Sequence, residues 1–459
     1  MAIAEFDSFE PTDAWKTYLY ALRWQRSDWQ PDTKDVVDIP VLIAARTLSS
    51  ERKAWCKRHF NDGNIRFIEA VTIDDKAITE QETAVVIYLC QADGNELLEE
   101  ADFLRRVTQS AMTRTSVMPF VFLNLQSPLT GVALLGILKS IKFERPQWVV
   151  NYMEGDLLNE RGVRLIKSVY ASQESPNWVF RVESGILYTQ TIYPAEPGVV
   201  DGARLVYPQH TYLVTGASGD LGQIIIENLL DSGVKNIAAT GRKKEPPLWS
   251  LSIQAHLQNG AKIYYYSSDV SSGDDVKKLI SVIKEQLPPL GSITHAAGVS
   301  DDKPWRRTDR QNLYHILSGK AMGALYLHQA TRDYTLKEFI CISSITGVFG
   351  NLGQGAYAAA NAFLNALCDY RMQQGLPALA LIAGPIHNTG LFRKNERRLT
   401  AYLASLGVQP LTSQDIKQLS GRKVNTSKII FSHFLRLPED STDCAFKLLL
   451  NRKKSDPLS

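Results

Sequence analysis

Short apolar runs alternate with longer stretches of helical period along this chain. Up to about Gly198 the runs are VVDIPVLIAA, TAVVIYLC, PFVFLNLQ, QWVVNYM and NWVFRV. Between them stand the helical patterns LSSERKAWCKRHF and GNELLEEADFLRRVTQSAM, and DAWKTYLYALRWQ supplies an opening strand. The alternation predicts βα units and a parallel sheet. It resumes at TYLVTG and continues through NIAATG, KIYYYSSDV, SITHAAG, KEFICISS and PALALIAG, with SKIIFSHF as a last strand. DGARLVYPQ, which places Pro208 just ahead of a strand, marks the junction and divides the chain into 1–205 and 206–459.

The two halves differ at their first crossover. VLIAARTLSSERK has no glycine between Ile43 and the helix, so its backbone cannot close on a pyrophosphate. In the second half the strand ending at Thr215 is followed at once by Gly216, Gly219 and Gly222. Glycine there permits a tight turn and a close approach, leaving a pyrophosphate at the N-terminus of the next helix. The expected fold is α/β with two Rossmann-like units. The first is truncated and structural; the second is a doubly wound parallel sheet that binds a dinucleotide.

Candidate chemistry concentrates in CISSITGVFGNLGQGAYAAANAFLNAL, residues 341–367. Ser344 ends an apolar run, and Tyr357 and Asn361 lie four apart on one face of an Ala-rich helix. A hydroxyl and a phenol aimed at one point can polarise a carbonyl and protonate it.

The strings TGASGDLG (215–222), HAAGVSDD (295–302) and SS…GQGAYAAANAF (343–363) resemble the short-chain dehydrogenase/reductase superfamily. More narrowly, they resemble the ketoreductase domain of modular polyketide synthases. Most of the superfamily carries a lysine where this chain has Asn361; in polyketide ketoreductases the lysine comes from an earlier helix, a place held here by Lys320. The resemblance therefore implies a catalytic set of Tyr357, Ser344, Lys320 and Asn361. It implies a cofactor loop of Thr215, Gly216, Ser218, Gly219, Leu221 and Gly222. Asp269 and Val270 are expected at the adenine, Ala296, Ala297 and Gly298 along the cofactor, and 385–389, with Pro385 and Thr389, at the nicotinamide. Arg242 stands where an acidic residue would select NAD; a basic one accommodates a 2′-phosphate, so NADPH is expected.

The same resemblance implies that Tyr18, Tyr20 and Trp24 are core residues and that the first half braces the second. NERRLTAYLASLG (395–407) would form a lid helix. The implied substrate is a β-ketoacyl thioester on an acyl carrier protein, and an α-ketoacyl thioester fits the same chemistry. Neighbouring polyketide synthase domains are the implied partners, with the carrier elsewhere, since the chain shows no phosphopantetheine attachment motif. Asp302 favours the B-type alcohol, with Ser300 replacing the usual leucine. Phe349 stands where A-type relatives have tryptophan, whereas Leu352 and Ala356 depart from the B-type pattern. Two rivals are a catalytically silent reductase domain within a synthase and a stand-alone reductase of a free ketone.

Composition narrows the setting further. With 459 residues the chain exceeds one ordinary core, and 44% apolar content suits a globular protein. A net charge of +3 from dispersed residues gives no argument for nucleic acid. No apolar run is long enough to span a bilayer, and MAIAEFDSFEP has no signal core, so a cytoplasmic setting is expected. Cys56, Cys90, Cys341, Cys368 and Cys444 are isolated and read as free thiols. Asp301 and Asp302 are adjacent, point apart and have no third ligand nearby, so no metal is expected.

Overall fold

The computed structural model describes residues 19–27, 40–60, 65–71, 85–113, 119–171, 179–196, 199–387, 389, 408–420 and 422–434. The expected lid helix at 395–407, Tyr18 and Cys444 lie outside the described residues.

The first half opens with β1 (Leu19–Arg26), β2 (Val41–Ala44), α1 (Ser50–Phe60), β3 (Ile65–Ile68) and β4 (Val85–Cys90). It continues with α2 (Leu97–Ala111), β5 (Phe120–Asn124), α3 (Pro128–Glu144), β6 (Val150–Gly155) and α4 (Glu160–Ala171). A hairpin, β7 (Val179–Glu183) and β8 (Ile186–Pro194), and the short β9 (Val200–Ala203) complete it.

The second half begins with β10 (Thr211–Thr215), α5 (Asp220–Asp231), β11 (Asn236–Gly241), α6 (Leu251–Gln258), β12 (Lys262–Ser267) and α7 (Gly273–Gln286). Then come β13 (Leu290–His295), α8 (Arg310–Leu317), α9 (Gly323–Ala330), β14 (Glu338–Ser344), the single turn α10 (Thr346–Phe349) and α11 (Gly355–Gln373). β15 (Leu379–Ala383), β16 (Val408–Gln409), α12 (Ser413–Ser420), β17 (Arg422–Val424), β18 (Lys428–Phe431) and β19 (His433–Phe434) follow.

Both predicted parallel arrays are present. They form one continuous sheet in the order β12-β11-β10-β13-β14-β15-β18-β1-β8-β7-β6-β5-β4-β2-β3. Strands β12 to β18 run parallel, as do β7 to β3. The seam is antiparallel: β1 pairs with β18 through Leu19↔Phe431 and with β8 from Tyr20↔Pro194 to Arg26↔Tyr188. Strand order reverses between β10 and β13, the switch point where open α/β sheets place ligands.

The β7–β8 hairpin was not expected from NWVFRV alone. Its turn is Ser184-Gly185, both at positive φ (49° and 73°), the backbone that tight two-residue hairpins require. Tyr20 is core, at 8% exposure. Trp24 lies at the core's margin: the half-buried indole packs against the core on one side and lies under the Arg181 guanidinium at 4.3 Å.

The halves also meet through helices. On α3, a Cβ at Gly136 would come within 2.7 Å of the Ala358 carbonyl on α11, so the two helix backbones touch where no larger residue fits. The alanines of α11 serve the same close approach: Ala358, Ala359, Ala360 and Ala362 are all buried.

Candidate active site

Between β10 and α5 the chain turns through Gly216 at φ +71°, where a Cβ would stand 2.7 Å from the Ala297 nitrogen. Gly222 lets α5 rest on this loop, since a Cβ there would lie 2.3 Å from the Gly216 carbonyl oxygen. Gly219 caps α5 in an extended conformation without a side-chain bond, so the first helix N–H groups face the cleft.

That cleft, of 1890 Å³, runs along the C-terminal ends of β10, β11, β13, β14 and β15. Its wall includes Gly216, Ser218, Gly219, Leu221 and Gly222, then Arg242, Asp269, Val270, Ala296, Ala297 and Gly298. Ser344, Tyr357, Lys320, Pro385 and Thr389 line the same cleft, and so do Asp302 and Phe349. Three expected residues are not on the wall. Thr215 is fully buried beneath the loop, accepting from the Ala297 N–H at 3.3 Å. Asn361 is buried behind Tyr357 and donates to its carbonyl at 2.7 Å. Leu352 is 57% exposed and does not line the cleft.

Lys320 sits on a π-helical turn, Ser318–Met322, between α8 and α9. Such turns open a helix locally and recur at functional sites. The side chain is 6% exposed, and its Nζ lies 5.3 Å from the centroid of the Tyr357 ring, within cation–π range. Gly298 makes room for it: a Cβ there would meet Lys320 Cδ at 3.1 Å. Three segments far apart in sequence thus deliver a phenol, a hydroxyl and an ammonium to one cleft. Asn361 Oδ1 is buried and has no hydrogen-bond partner among the described residues, which leaves an acceptor open beside this group.

His295 opens the string HAAGVSDD. Its ring bridges Thr215 Oγ1, at 2.8 Å from Nδ1, and the Lys320 carbonyl, at 2.9 Å from Nε2. A carbonyl only accepts, so Nε2 carries the proton and Nδ1 accepts from the Thr215 hydroxyl. Burial pushes His295 down to about 4, and burial followed by the nearby Arg371 charge does the same to His328. Both lie below the ordinary histidine value of about 6.5. The unfolded chain therefore binds more protons between those pH values, and stability falls as pH drops through that window. We expect the melting temperature to decline steeply from about pH 6.5 to pH 4. His295→Asn should flatten part of that slope, and an equal slope in the variant would refute the assignment.

Arg242, exposed at the end of β11, makes no hydrogen bond or ion pair among the described residues. A loop of helix N–H groups at one place and a free guanidinium at another match a dinucleotide with an extra phosphate. The donor set fits the expected cofactor.

Phe143, at the end of α3, also lines the cleft, bringing the first half of the chain into the site. Nothing in the sequence pattern pointed to it. Near the mouth, Asp302 accepts from Ser300 Oγ at 2.6 Å and from Gln354 Nε2 at 2.7 Å. Asp301 instead accepts from Asn312 Nδ2 at 2.6 Å and pairs with Lys303 at 3.2 Å. The adjacent carboxylates diverge, and no group of three metal-ligating side chains is assembled among the described residues. Nor is any described helix long and apolar enough to cross a membrane.

Residues 210–388 match the KR domain family. This part of the chain is a ketoreductase domain. KR domains are nucleotide-dependent oxidoreductases, in keeping with the glycine loop. The chain is 32% identical over 293 residues to the polyketide synthase GfsE of Streptomyces halstedii, covering 63% of this chain and 7% of that protein. It is 30% identical over 224 residues to the PKS-NRPS hybrid synthetase cheA of Chaetomium globosum, covering 48% of this chain and 5% of that protein. The chain thus spans a small fraction of the length of these relatives. A structure of A-type ketoreductases from a modular polyketide synthase superimposes with a TM-score of 0.77. That match has 21% identity and covers 96% of this chain and 97% of the other, a likeness of fold that includes the first half.

Proposed function

We propose that this protein reduces the ketone of a β-ketoacyl thioester, carried by an acyl carrier protein, to the hydroxyacyl thioester with NADPH. The observation that carries this reading is the Lys320 amine 5.3 Å from the Tyr357 ring, in one cleft with Ser344 and the glycine loop. Relatives that are polyketide synthases support a setting among neighbouring synthase domains, and the cytoplasm is the compartment this reading implies.

NADPH, when bound, supplies the hydride. Negative charge then develops on the ketone oxygen, where Ser344 donates a hydrogen bond and the Tyr357 phenol delivers the proton. Once the proton has left, a neighbouring ammonium offsets the charge that remains on the phenolate. Lys320 has that role. Asn361 offers its open Oδ1 to Lys320 or to a relay water. Residues 206–459 carry the reaction and 1–205 brace it. Asp302, held by Ser300 and Gln354, favours the B-type alcohol. An α-ketoacyl thioester would meet the same three groups, which recognise only the carbonyl.

The test is oxidation of NADPH by the purified chain with a simple β-ketoacyl thioester, followed by chiral analysis of the alcohol. Turnover giving the B-type product supports the reading. Cofactor binding without turnover on any ketone identifies a silent domain, and preference for a free ketone identifies a stand-alone reductase. Arg242→Ala should raise the KM for NADPH about tenfold or more and leave that for NADH nearly unchanged, because each strong phosphate contact is worth about 1.5–3 kcal/mol. Equal effects on both cofactors would remove Arg242 from the phosphate site.

A further inference from the structure

Lys139 is a buried lysine that the proposed chemistry does not use. It lies on α3, in the half of the chain without a glycine loop, at 4% exposure. No carboxylate pairs with it among the described residues. Its Nζ donates to the Val348 carbonyl at 2.5 Å. Val348 belongs to α10, the single turn that connects Ser344 to the loop leading to Tyr357.

The contact is one of several that strap this loop to α3. Gly350 adopts φ +76°, and a Cβ there would lie 2.6 Å from the Lys139 backbone carbonyl carbon. The Asn351 N–H donates to Ser140 Oγ at 3.2 Å. Asn351 Nδ2 in turn donates to Gln354 Oε1 at 2.9 Å, and Gln354 reaches Asp302. Phe349, Gly350, Asn351 and Gln354 all line the cleft near Tyr357.

Isolated buried ammonium groups are costly, and an apolar side chain of similar length would spare that cost. Burial pushes the Lys139 amine down to about 7, with the like charge of Lys428 adding to the shift; Lys428 is itself paired with Asp369 at 2.5 Å. The helix keeps a lysine where methionine would fill the space, and its one described partner is the loop carbonyl.

We propose that Lys139 is a positioning residue for the ketone: by holding the Val348 carbonyl it fixes the Phe349–Gln354 wall of the cleft. This rests on the reductase reading above. The cofactor loop lies on β10 and α5, away from the strap, so its affinity is unaffected.

The experiment compares the full chain with Lys139→Met and the milder Ser140→Ala. With turnover measurable in the unmodified protein, Lys139→Met should raise the KM for the ketoacyl thioester about tenfold and erode product chirality. Its kcat and its affinity for NADPH should change less than about threefold, since the reacting groups and the glycine loop are untouched. Ser140→Ala should move KM in the same direction by a smaller factor. An unchanged ketone KM, or a uniform fall in every parameter, would overturn the proposal. If the unmodified chain turns over no ketone, the reductase reading fails by itself, and backbone hydrogen exchange decides the strap. Faster exchange confined to 346–351 in Lys139→Met supports it; unchanged exchange there refutes it.

Discussion

Tyr357→Phe lowers turnover of a ketoacyl thioester by roughly 10²- to 10⁴-fold, the usual worth of a positioned general acid, while NADPH affinity stays within about threefold. The substitution keeps the ring that Lys320 faces at 5.3 Å and removes only the hydroxyl. Packing on α11 is preserved, because the ring stands half-buried at the cleft wall and the alanines behind it carry the helix contact. Steady-state cofactor oxidation and a fluorescence titration of NADPH measure the two quantities separately. Turnover within about tenfold of the unmodified protein would show that the proton comes from elsewhere, from Ser344 or from water, since a general acid contributes more than that.

Trp305→Ala destabilises the fold by about 3–5 kcal/mol, the range for deleting a fully buried large aromatic residue. Trp305 has 0% exposure and lies in the loop that carries Asp301 and Asp302. Its indole N–H donates to Thr108 Oγ1 on α2 at 2.8 Å, and its backbone N–H donates to the Glu144 carboxylate on α3 at 2.8 Å. Its carbonyl accepts from Gln109 Nε2 at 2.6 Å. On the other side the ring packs against Gly355, where a Cβ would come within 2.7 Å, two residues before Tyr357. This residue therefore joins α2, through its side chain, and α3, through its backbone, to the start of α11. Trp305→Phe should cost less, because most of the volume stays and the loss centres on one hydrogen bond, worth about 0.5–1.5 kcal/mol. Denaturant midpoints of the three proteins test this ranking. A Trp305→Ala midpoint equal to that of the unmodified chain would mean that the halves do not depend on this contact.

Much of the architecture was legible in residue order because both of its determinants are local. Runs such as TAVVIYLC and TYLVTG must be strands buried on two faces, and the helical period between them forces parallel crossovers. Gly216, Gly219 and Gly222 point to a phosphate loop, and at Gly216 (φ +71°) and Gly222 (2.3 Å approach) the backbone admits only glycine. The Ser344–Tyr357–Asn361 spacing placed a hydroxyl and a phenol at adjoining strand and helix ends.

Long-range contacts decided the remainder. Residue order does not say that β1 closes the seam between the two arrays, since an antiparallel partner at Phe431 is set by which sheet edges are left open. Lys320 has no local signature; its place beside Tyr357 follows from the π-helical turn and from the space left at Gly298. The same is true of Phe143 in the cleft wall, of His295 between Thr215 and the Lys320 carbonyl, and of Lys139 beneath the loop. Sequence alone determined which backbone could cradle a phosphate and which side chains could move a proton. Only the tertiary structure decided which distant groups meet there, because packing between remote elements is fixed by shape complementarity across the whole sheet and by no pattern within any one segment.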